Sequence, residues 1–575
     1  MSTSSTPPPA SAAIEARTFA PATEGLRGLL ASRRGRILRE NLTAYLFLAP
    51  AAIIIFLFGI FPVGFALYVS LHNWRLVQGP FVGLNNYLRA IDVLAYVGAF
   101  WLGVGALVGA VWTARRVWKK AEERGERFPV LWLVPAAVSA AGVLLFVRFT
   151  VIWLPGLLGI GEQLKGKVRT NELIMQLLGE TFQTPEVSQA LWLSLVGIAV
   201  GLALAAIVAR AAPGKEPSFY YTHLGFMAGL LAVGVVILIF TYSQVQAQYA
   251  AAEAGAEMDP WARIVTISAG FVLLGLAWFA WNRAGGRASN AHTGLILFAA
   301  ATLMVGGWIL IGELPLAIAA GDKDLWQGFV VTVYYSLFTV PVQLVISLFL
   351  AYLLFQGIRG QSVFRMIYFI PYITPAVAAA AVFRIIFSNR ADSLANQVLR
   401  ALGAAPQQWV LEPRGIFELM AAGAGITLPS WAAGPSMALV VIILYGIWTF
   451  VGYDTVIFLA GLGAIPGELY EAAKIDGGGR WAIFRHITLP LLSPTTFFLS
   501  LIAIIGTFKA FNHIWVLRTD AALGTVDTVS ITIFQEFFRN SRLGYASAMA
   551  FVLFAVILSL TLAQNRIAAK RVFYG

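Results

Sequence analysis

About twelve stretches of roughly twenty apolar residues, each long enough to cross a bilayer as a helix, leave this chain few folds. They lie near 44–70, 93–113, 130–153, 190–209, 223–243, 262–282, 292–312, 328–355, 366–387, 437–461, 491–514 and 545–565. With 575 residues, 59% of them hydrophobic and 12% charged, the chain carries more apolar surface than a soluble core absorbs. The expected fold is all-α, a polytopic membrane protein of about twelve spans.

The net charge of +12 reports topology. Arg33, Arg34, Arg36 and Arg39 precede the first span. Arg115, Arg116, Lys119, Lys120, Arg124 and Arg127 follow the second, and Arg283 and Arg287 the sixth. Arg359 and Arg365 flank the turn after the eighth, and Arg566, Lys570 and Arg571 follow the last. All fall on one side if the N-terminus is cytosolic. The intervening loops are neutral, acidic or mixed, with Glu253, Glu257 and Asp259 after the fifth span and Glu313, Asp322 and Asp324 after the seventh. This is the positive-inside bias, so no nucleic-acid partner is expected. Residues 1 to about 25, rich in Ser, Thr, Pro and Ala, suit a disordered cytosolic tail, and no signal peptide is expected. With no Cys, disulfides and thiolate metal sites are excluded.

Between the tenth and eleventh spans lies a punctuated polar loop, 462–490. Pro466 suits a first helical turn, Glu468 and Glu471 favour a helix N-terminus, and Ala472 and Ala473 leave a face open to close approach. Gly477, Gly478 and Gly479 stop that helix. Trp481, Phe484 and Ile487 recur at a spacing of about three, and Pro490 opens the next run. A short helix, a tight turn and an apolar anchor suit a groove on another protein. The charge pattern places this loop in the cytosol.

This stretch resembles the permease subunits of type I ATP-binding-cassette importers, whose cytosolic signature is Glu-Ala-Ala, three residues, Gly, nine residues, Ile, one residue, Leu-Pro. Glu471, Ala472, Ala473, Gly477, Ile487, Leu489 and Pro490 match it without a gap. Tyr470, Asp476 and the run from Ile487 to Leu492 are similar to the sugar branch of that family, the maltose-type permeases. The resemblance implies a coupling role for Glu468, Glu471, Ala472, Ala473, Asp476, Gly477, Ile487, Leu489 and Pro490. It also implies a second permease subunit, a pair of ATPase subunits that bind ATP and Mg, an extracytoplasmic solute-binding protein and a sugar of the maltose or trehalose type. The location implied is a prokaryotic cytoplasmic membrane, crossed many times, with both termini cytosolic.

The resemblance covers two blocks. Residues 42–92 hold the first core span and Phe-Val-Gly-Leu-Asn-Asn-Tyr at 81–87, where Asn85 or Asn86 is placed to cap an interfacial helix. Residues 326–575 hold five more spans and Gly-Tyr-Ala-Ser-Ala at 544–548. The expected division is a tail 1–41, a first core segment 42–92, an inserted six-helix region 93–325 and the remaining core 326–575. Six spans return the chain to the same face, so the core topology survives the insertion. Gly105 with Gly109, Gly197 with Gly201 and Gly225 with Gly229 are small-residue pairs that permit close helix contact. Residues 154–189 suit either a surface-lying segment or a solvated loop. The long segment from Asn389 to Met437 is the expected docking surface for the solute-binding protein.

A polar cargo needs polar side chains within the spans. Asp454 is costly there unless it faces protein, water or a counter-charge. Tyr445, Trp448 and Tyr453 supply faces and hydroxyls near it, while Phe508, Lys509, Phe511, Asn512 and His513 form a second polar and aromatic cluster. Contact with substrate and plain structural roles, snorkelling or helix packing, are both open. By rise per residue Asp454 lies nearer the inner face and Lys509 nearer the outer, which argues against a direct ion pair. Pro371 and Pro375 should kink the ninth span, as a hinge or a static bend.

No Gly-x-x-x-x-Gly-Lys-Ser/Thr loop occurs, so the chain is expected to carry no ATP, no catalytic residues and no cofactor of its own. Two rivals remain. An ion-coupled secondary transporter would show internal repeats, and a membrane glycosyltransferase would use Asp322-Lys323-Asp324 as a metal-binding pair. No repeat is visible, and no other acidic or His ligand adjoins that tripeptide.

Overall fold

The computed structural model describes residues 33–125, 129–166, 170–211, 217–251, 260–284, 290–357 and 359–571. Arg127, Lys167, Arg169, Glu253, Glu257, Asp259, Arg287 and most of the tail 1–41 lie outside these. So do the side chains of Arg33, Arg34, Arg36, Arg39, Glu162, Lys570 and Arg571. Every regular element among the described residues is helical. Ten helices are long and apolar enough to span a bilayer, and two sharply bent pairs bring the total to as many as twelve.

The chain divides into two units after Tyr68. The first is a helical span in which α1 (Arg33–Ile55) passes through a π-turn at Phe56–Ile60 into α2 (Phe61–Ser70). Pro62 has no N–H to close a four-residue turn and its ring crowds the preceding one, so the helix widens there. Its apolar side chains, Phe47 and Phe58 among them, are exposed, as on a helix solvated by lipid.

In the second unit α3 (Asn85–Ile91) follows Gly83, whose φ of +57° suits glycine. Leu84 takes the N-cap position with no side-chain cap, so neither asparagine caps the helix. Asn86 Nδ2 instead donates to the carbonyls of Ser70 (2.8 Å) and His72 (3.0 Å) and ties the loop down.

Seven helices follow: α4 (Leu94–Arg124), α5 (Leu133–Gln163), α6 (Asn171–Gln183), α7 (Pro185–Ala211), α8 (Pro217–Ala251), α9 (Pro260–Ala284) and α10 (Asn290–Ala320). They pack mainly on one another, α5 on α7 and α8, α4 on α8, and α9 on α10. Of the glycine pairs, Gly197 and Gly201 are the true contact. A Cβ on Gly197 would sit 3.0 Å from Gly142 Cα, and one on Gly201 would overlap Ser139. On α4, Gly103 makes the close approach, to Leu238 and Gly234, while Gly105 and Gly229 face open space. Among the described residues of the 154–189 region, α5 runs on to Gln163 and Asn171–Gln183 form α6. Trp153 Nε1 donates to Thr181 Oγ1 at 2.9 Å, and Leu177 is buried with Ile160 and Leu164, which clips α6 against α5.

Arg263 on α9 bridges Asp92 (3.0 Å), just past α3, and Glu313 (3.9 Å) on α10. The two ends of the 93–320 region also meet, because Asp322 N donates to Ala90 O at 3.1 Å.

From Asp322 onward the second unit continues through a further set of helices. The set begins with α11 (Lys323–Phe355), α12 (Gln361–Ile373) and α13 (Ala376–Ile386), then a cap segment with α14 (Leu394–Ala401) and α15 (Ile416–Gly423), then α16 (Met437–Gly463). Next come α17 (Gly467–Ile475), α18 (Arg480–Ile483), a π-turn at Phe484–Thr488, α19 (Leu489–Leu491), α20 (Ser493–Phe508), α21 (Asn512–Leu517), α22 (Val529–Phe534) and α23 (Leu543–Arg571). The central helix α16 packs on α11 and α12. Gly452 allows this, since any Cβ there would overlap the Tyr368 carbonyl of α12.

Asp322 is a helix cap. Its Oδ1 accepts from the N–H groups of Asp324 (2.9 Å) and Leu325 (3.0 Å), and its Oδ2 accepts from the Tyr545 hydroxyl. Among the described residues no cluster of His, Cys, Asp or Glu has metal-binding geometry. The family-like stretch at 544–548 thus has a packing role. Gly544 lies hard against the His72 carbonyl, and Ala546 and Ala548 are buried.

The cap segment is knotted around Asn396, which is fully buried. Its Nδ2 donates to the carbonyls of Arg390 (2.9 Å) and Gln407 (3.2 Å), and its Oδ1 accepts from Gln407 N (2.9 Å) and Trp409 Nε1 (2.8 Å). The Arg414 guanidinium, hydrogen-bonded to Glu412, holds that carboxyl below its ordinary range. Asn396→Leu leaves several buried groups without partners at roughly 1–3 kcal/mol each. The variant should therefore open the cap to limited proteolysis between α13 and α16, and an unchanged digestion pattern refutes the knot.

Candidate functional site

Two features combine exposure or burial with chemistry. They lie along α16, whose 27 residues extend about 40 Å.

The first is the elbow that follows α16. Pro466, with extended ψ, starts α17 at its N-cap, and Glu468 lies in the first turn where the helix dipole favours it. The helix ends in a Schellman turn. Gly478 N donates to Ala473 O (2.8 Å) and Gly477 N to Lys474 O (3.1 Å), with Gly477 at φ +80°. The chain then reverses into α18. Trp481 stacks on Phe484 (5.7 Å between ring centroids), Phe484 meets Tyr352 of α11 edge-on (5.1 Å), and the Tyr470 hydroxyl lies 3.3 Å from Thr488 Oγ1. A π-turn again ends two residues before a proline, here Pro490, and the helix bends by 61° into α20.

Glu468, Glu471, Ala472, Asp476, Gly477, Leu489 and Pro490 are exposed, while Ala473 and Ile487 are half-buried. Ile475 (86% exposed) and Trp481 (69%) add large apolar surface to a loop that carries many polar residues. Side chains of that kind on a hydrophilic projection mark a surface that something covers.

The second is a cavity of about 350 Å³ beside the middle of α16. Tyr453, Asp454, Lys509, Phe511 and Asn512 line it, as do Gln343 and Tyr335 of α11, Tyr372 of α12 and His513 of α21. Two helix interruptions border it. The ninth span breaks by 95° between Ile373 and Ala376, a discontinuity sharper than a proline kink. Helix α20 stops at Phe508 and α21 starts at Asn512, so Lys509 to Phe511 lie on unwound chain. Non-helical backbone is tolerated at membrane depth where protein buries it or it lines a cavity.

Three expected residues lie elsewhere. Phe508 is buried among Leu325, Val529 and Tyr545. Tyr445 is buried behind the wall, its hydroxyl donating to Ala376 O (3.1 Å) and its ring stacked on His513 (4.8 Å). Trp448 packs on Phe383 at 5.2 Å. His513 does not snorkel; it is buried, with Nε2 at 3.0 Å from the Tyr335 hydroxyl. Asp454 and Lys509 share the cavity, and no ion pair joins them. Gln343, Tyr335 and Tyr372 escaped the sequence reading, each being one polar residue inside an apolar run. An amide in mid-span was the available signal for Gln343.

Residues 343–573 match the family model of the binding-protein-dependent transport system inner membrane component. Among relatives, the arabinooligosaccharides transport system permease protein AraP of Bacillus subtilis is 32% identical over 43% of this chain and 71% of its own length. The trehalose/maltose transport system permease protein MalF of Thermococcus litoralis is 28% identical over 43% of this chain and 76% of its own. One chain of a bacterial alginate transporter crystallised with its alginate-pentasaccharide-bound periplasmic protein aligns at 21% identity and a TM-score of 0.37, covering 43% of this chain and 80% of that one. On the match to AraP and to the family model, this multi-pass membrane protein belongs to the binding-protein-dependent transport system inner membrane component family.

Proposed function

We propose that the chain is the membrane-spanning permease subunit of an ATP-driven oligosaccharide importer and forms half of its translocation path. The observation that carries this reading is the exposed elbow at Gly467–Leu491. Its rigid glycine turn and uncovered Ile475 and Trp481 make a handle, anchored to α11 through Phe484. In this reading the N- and C-termini and the elbow face the cytosol, where two ATPase subunits grip the elbow. ATP and Mg are held by those chains, and a second permease completes the path. Closure of the ATPases moves the elbow and switches the core between two openings, a rigid-body transition.

Relatives named for arabinooligosaccharides, trehalose/maltose and lactose support a sugar cargo. The cap segment at the opposite end of α16 is the docking face for the solute-binding protein. Residues 93–325 form an inserted helix layer, and the importer core is drawn from 42–92 and 326–575. The cavity beside Asp454 lies on the sugar's route, with Tyr453, Lys509, Phe511 and Asn512 around it, while Tyr445, Trp448 and Phe508 shape its walls from behind.

The test is reconstitution in liposomes. The chain alone should move no sugar. The complex captured through a tag on it, supplied with a loaded binding protein, should move sugar only when ATP is present. Uptake by the isolated chain, or by the complex without ATP, refutes the reading.

A further inference from the structure

Two acceptor atoms beside the cavity have no donor. Asp454 is 3% exposed and Gln343 2%. The Gln343 side chain hydrogen-bonds Asp454, which leaves Asp454 Oδ2 and Gln343 Oε1 buried with no hydrogen-bond partner among the described residues. Buried oxygens of this kind are costly unless something donates to them, and both residues line the cavity. Their neighbours there are flat. Tyr372 and Tyr453 stack at 4.6 Å with 22° between ring planes, and Phe450 and Phe511 complete the wall. Lys509 on the unwound stretch and Asn512 at the start of α21 add donors.

Two neighbouring acceptors beside aromatic faces match a ring that carries hydroxyl donors on its edge and C–H groups on its face. Charge then separates sugar classes. The cavity holds one carboxylate and one ammonium, but they are not equivalent. Lys509 is exposed and solvent screens its attraction, whereas the buried free oxygens of Asp454 and Gln343 are placed to accept and give a ligand carboxylate no complementary donor. We propose that Asp454 and Gln343 form a two-acceptor fork that receives two hydroxyls of an uncharged sugar ring and rejects uronate rings. This rests on the sugar-importer reading and adds to it the class of sugar and a specificity-determining residue, Gln343.

The experiment is direct binding to the purified complex by saturation-transfer NMR, with maltose, lactose and digalacturonate as probes and no binding protein present. Wild type should bind a neutral disaccharide at least tenfold more tightly than digalacturonate. Asp454→Asn should weaken the neutral sugar about tenfold and erase the discrimination. Gln343→Leu should weaken the neutral sugar while retaining rejection of the uronate, since Asp454 remains. Elution of each variant complex at the wild-type volume checks assembly. The fork is overturned if wild type prefers digalacturonate or binds none of the probes, or if both assembled variants bind as wild type does. Uptake that proceeds without ATP overturns the importer reading instead, and the binding comparison still decides the fork.

Discussion

Gly452→Val should all but eliminate the folded protein from the membrane. A Cβ at Gly452 would overlap the Tyr368 carbonyl, which belongs to the backbone of a packed helix and cannot rotate away as a side chain can. Overpacking of this kind costs roughly 3 kcal/mol or more, and about 1.4 kcal/mol already changes a population tenfold. The yield of monodisperse protein should therefore fall by well over tenfold. Gly463→Val is the matched control, on the same helix with open space around it, and should accumulate as wild type does. Comparable yield and melting temperature for the two variants means that α12 and α16 do not pack through Gly452.

Gly477→Val should leave the protein folded and stop it working. The left-handed conformation of Gly477, φ +80°, is disfavoured for a β-branched residue by roughly 1–2 kcal/mol. The Schellman turn must therefore open, and α18 with Trp481 moves relative to α17. The elbow is exposed, so the strain stays local and membrane yield should hold. A handle displaced on its partner forfeits roughly 2 kcal/mol or more of docking energy. Sugar-stimulated ATP hydrolysis and uptake should both drop by at least tenfold. Gly467→Ala, at an open position without positive φ, should remain active. Full uptake by Gly477→Val removes the mechanical role assigned to the turn.

What was legible from sequence follows from what apolar periodicity encodes. A run of twenty apolar residues states a span whatever its neighbours, so the count of about twelve agrees with the helices observed. The elbow was equally plain, because prolines, acidic residues and three glycines punctuate it within 25 positions and each acts on local backbone. The cavity was half visible. Asp454, Lys509 and Asn512 stand out as polar residues in apolar surroundings. Which of their neighbours point inward depends on how α11, α12, α16 and α21 pair, and a run apolar on every face carries no such information. Hence Tyr445 and Phe508 fell outside the cavity, and Tyr335 and Gln343 fell inside. The asparagines near 85 misled for a related reason. A cap is a local rule, and Asn86 serves a longer-range contact to Ser70 and His72 instead.

The hydrogen bond from Asp322 to Ala90 gives residues 93–320 the form of a side chapel, entered and left through one doorway. A detour whose ends meet need not stretch or re-route the helices on either side of it, and lengthening it adds only a slowly growing closure entropy. Grafting onto, or pruning from, this doorway is thus the cheapest large rearrangement the architecture allows.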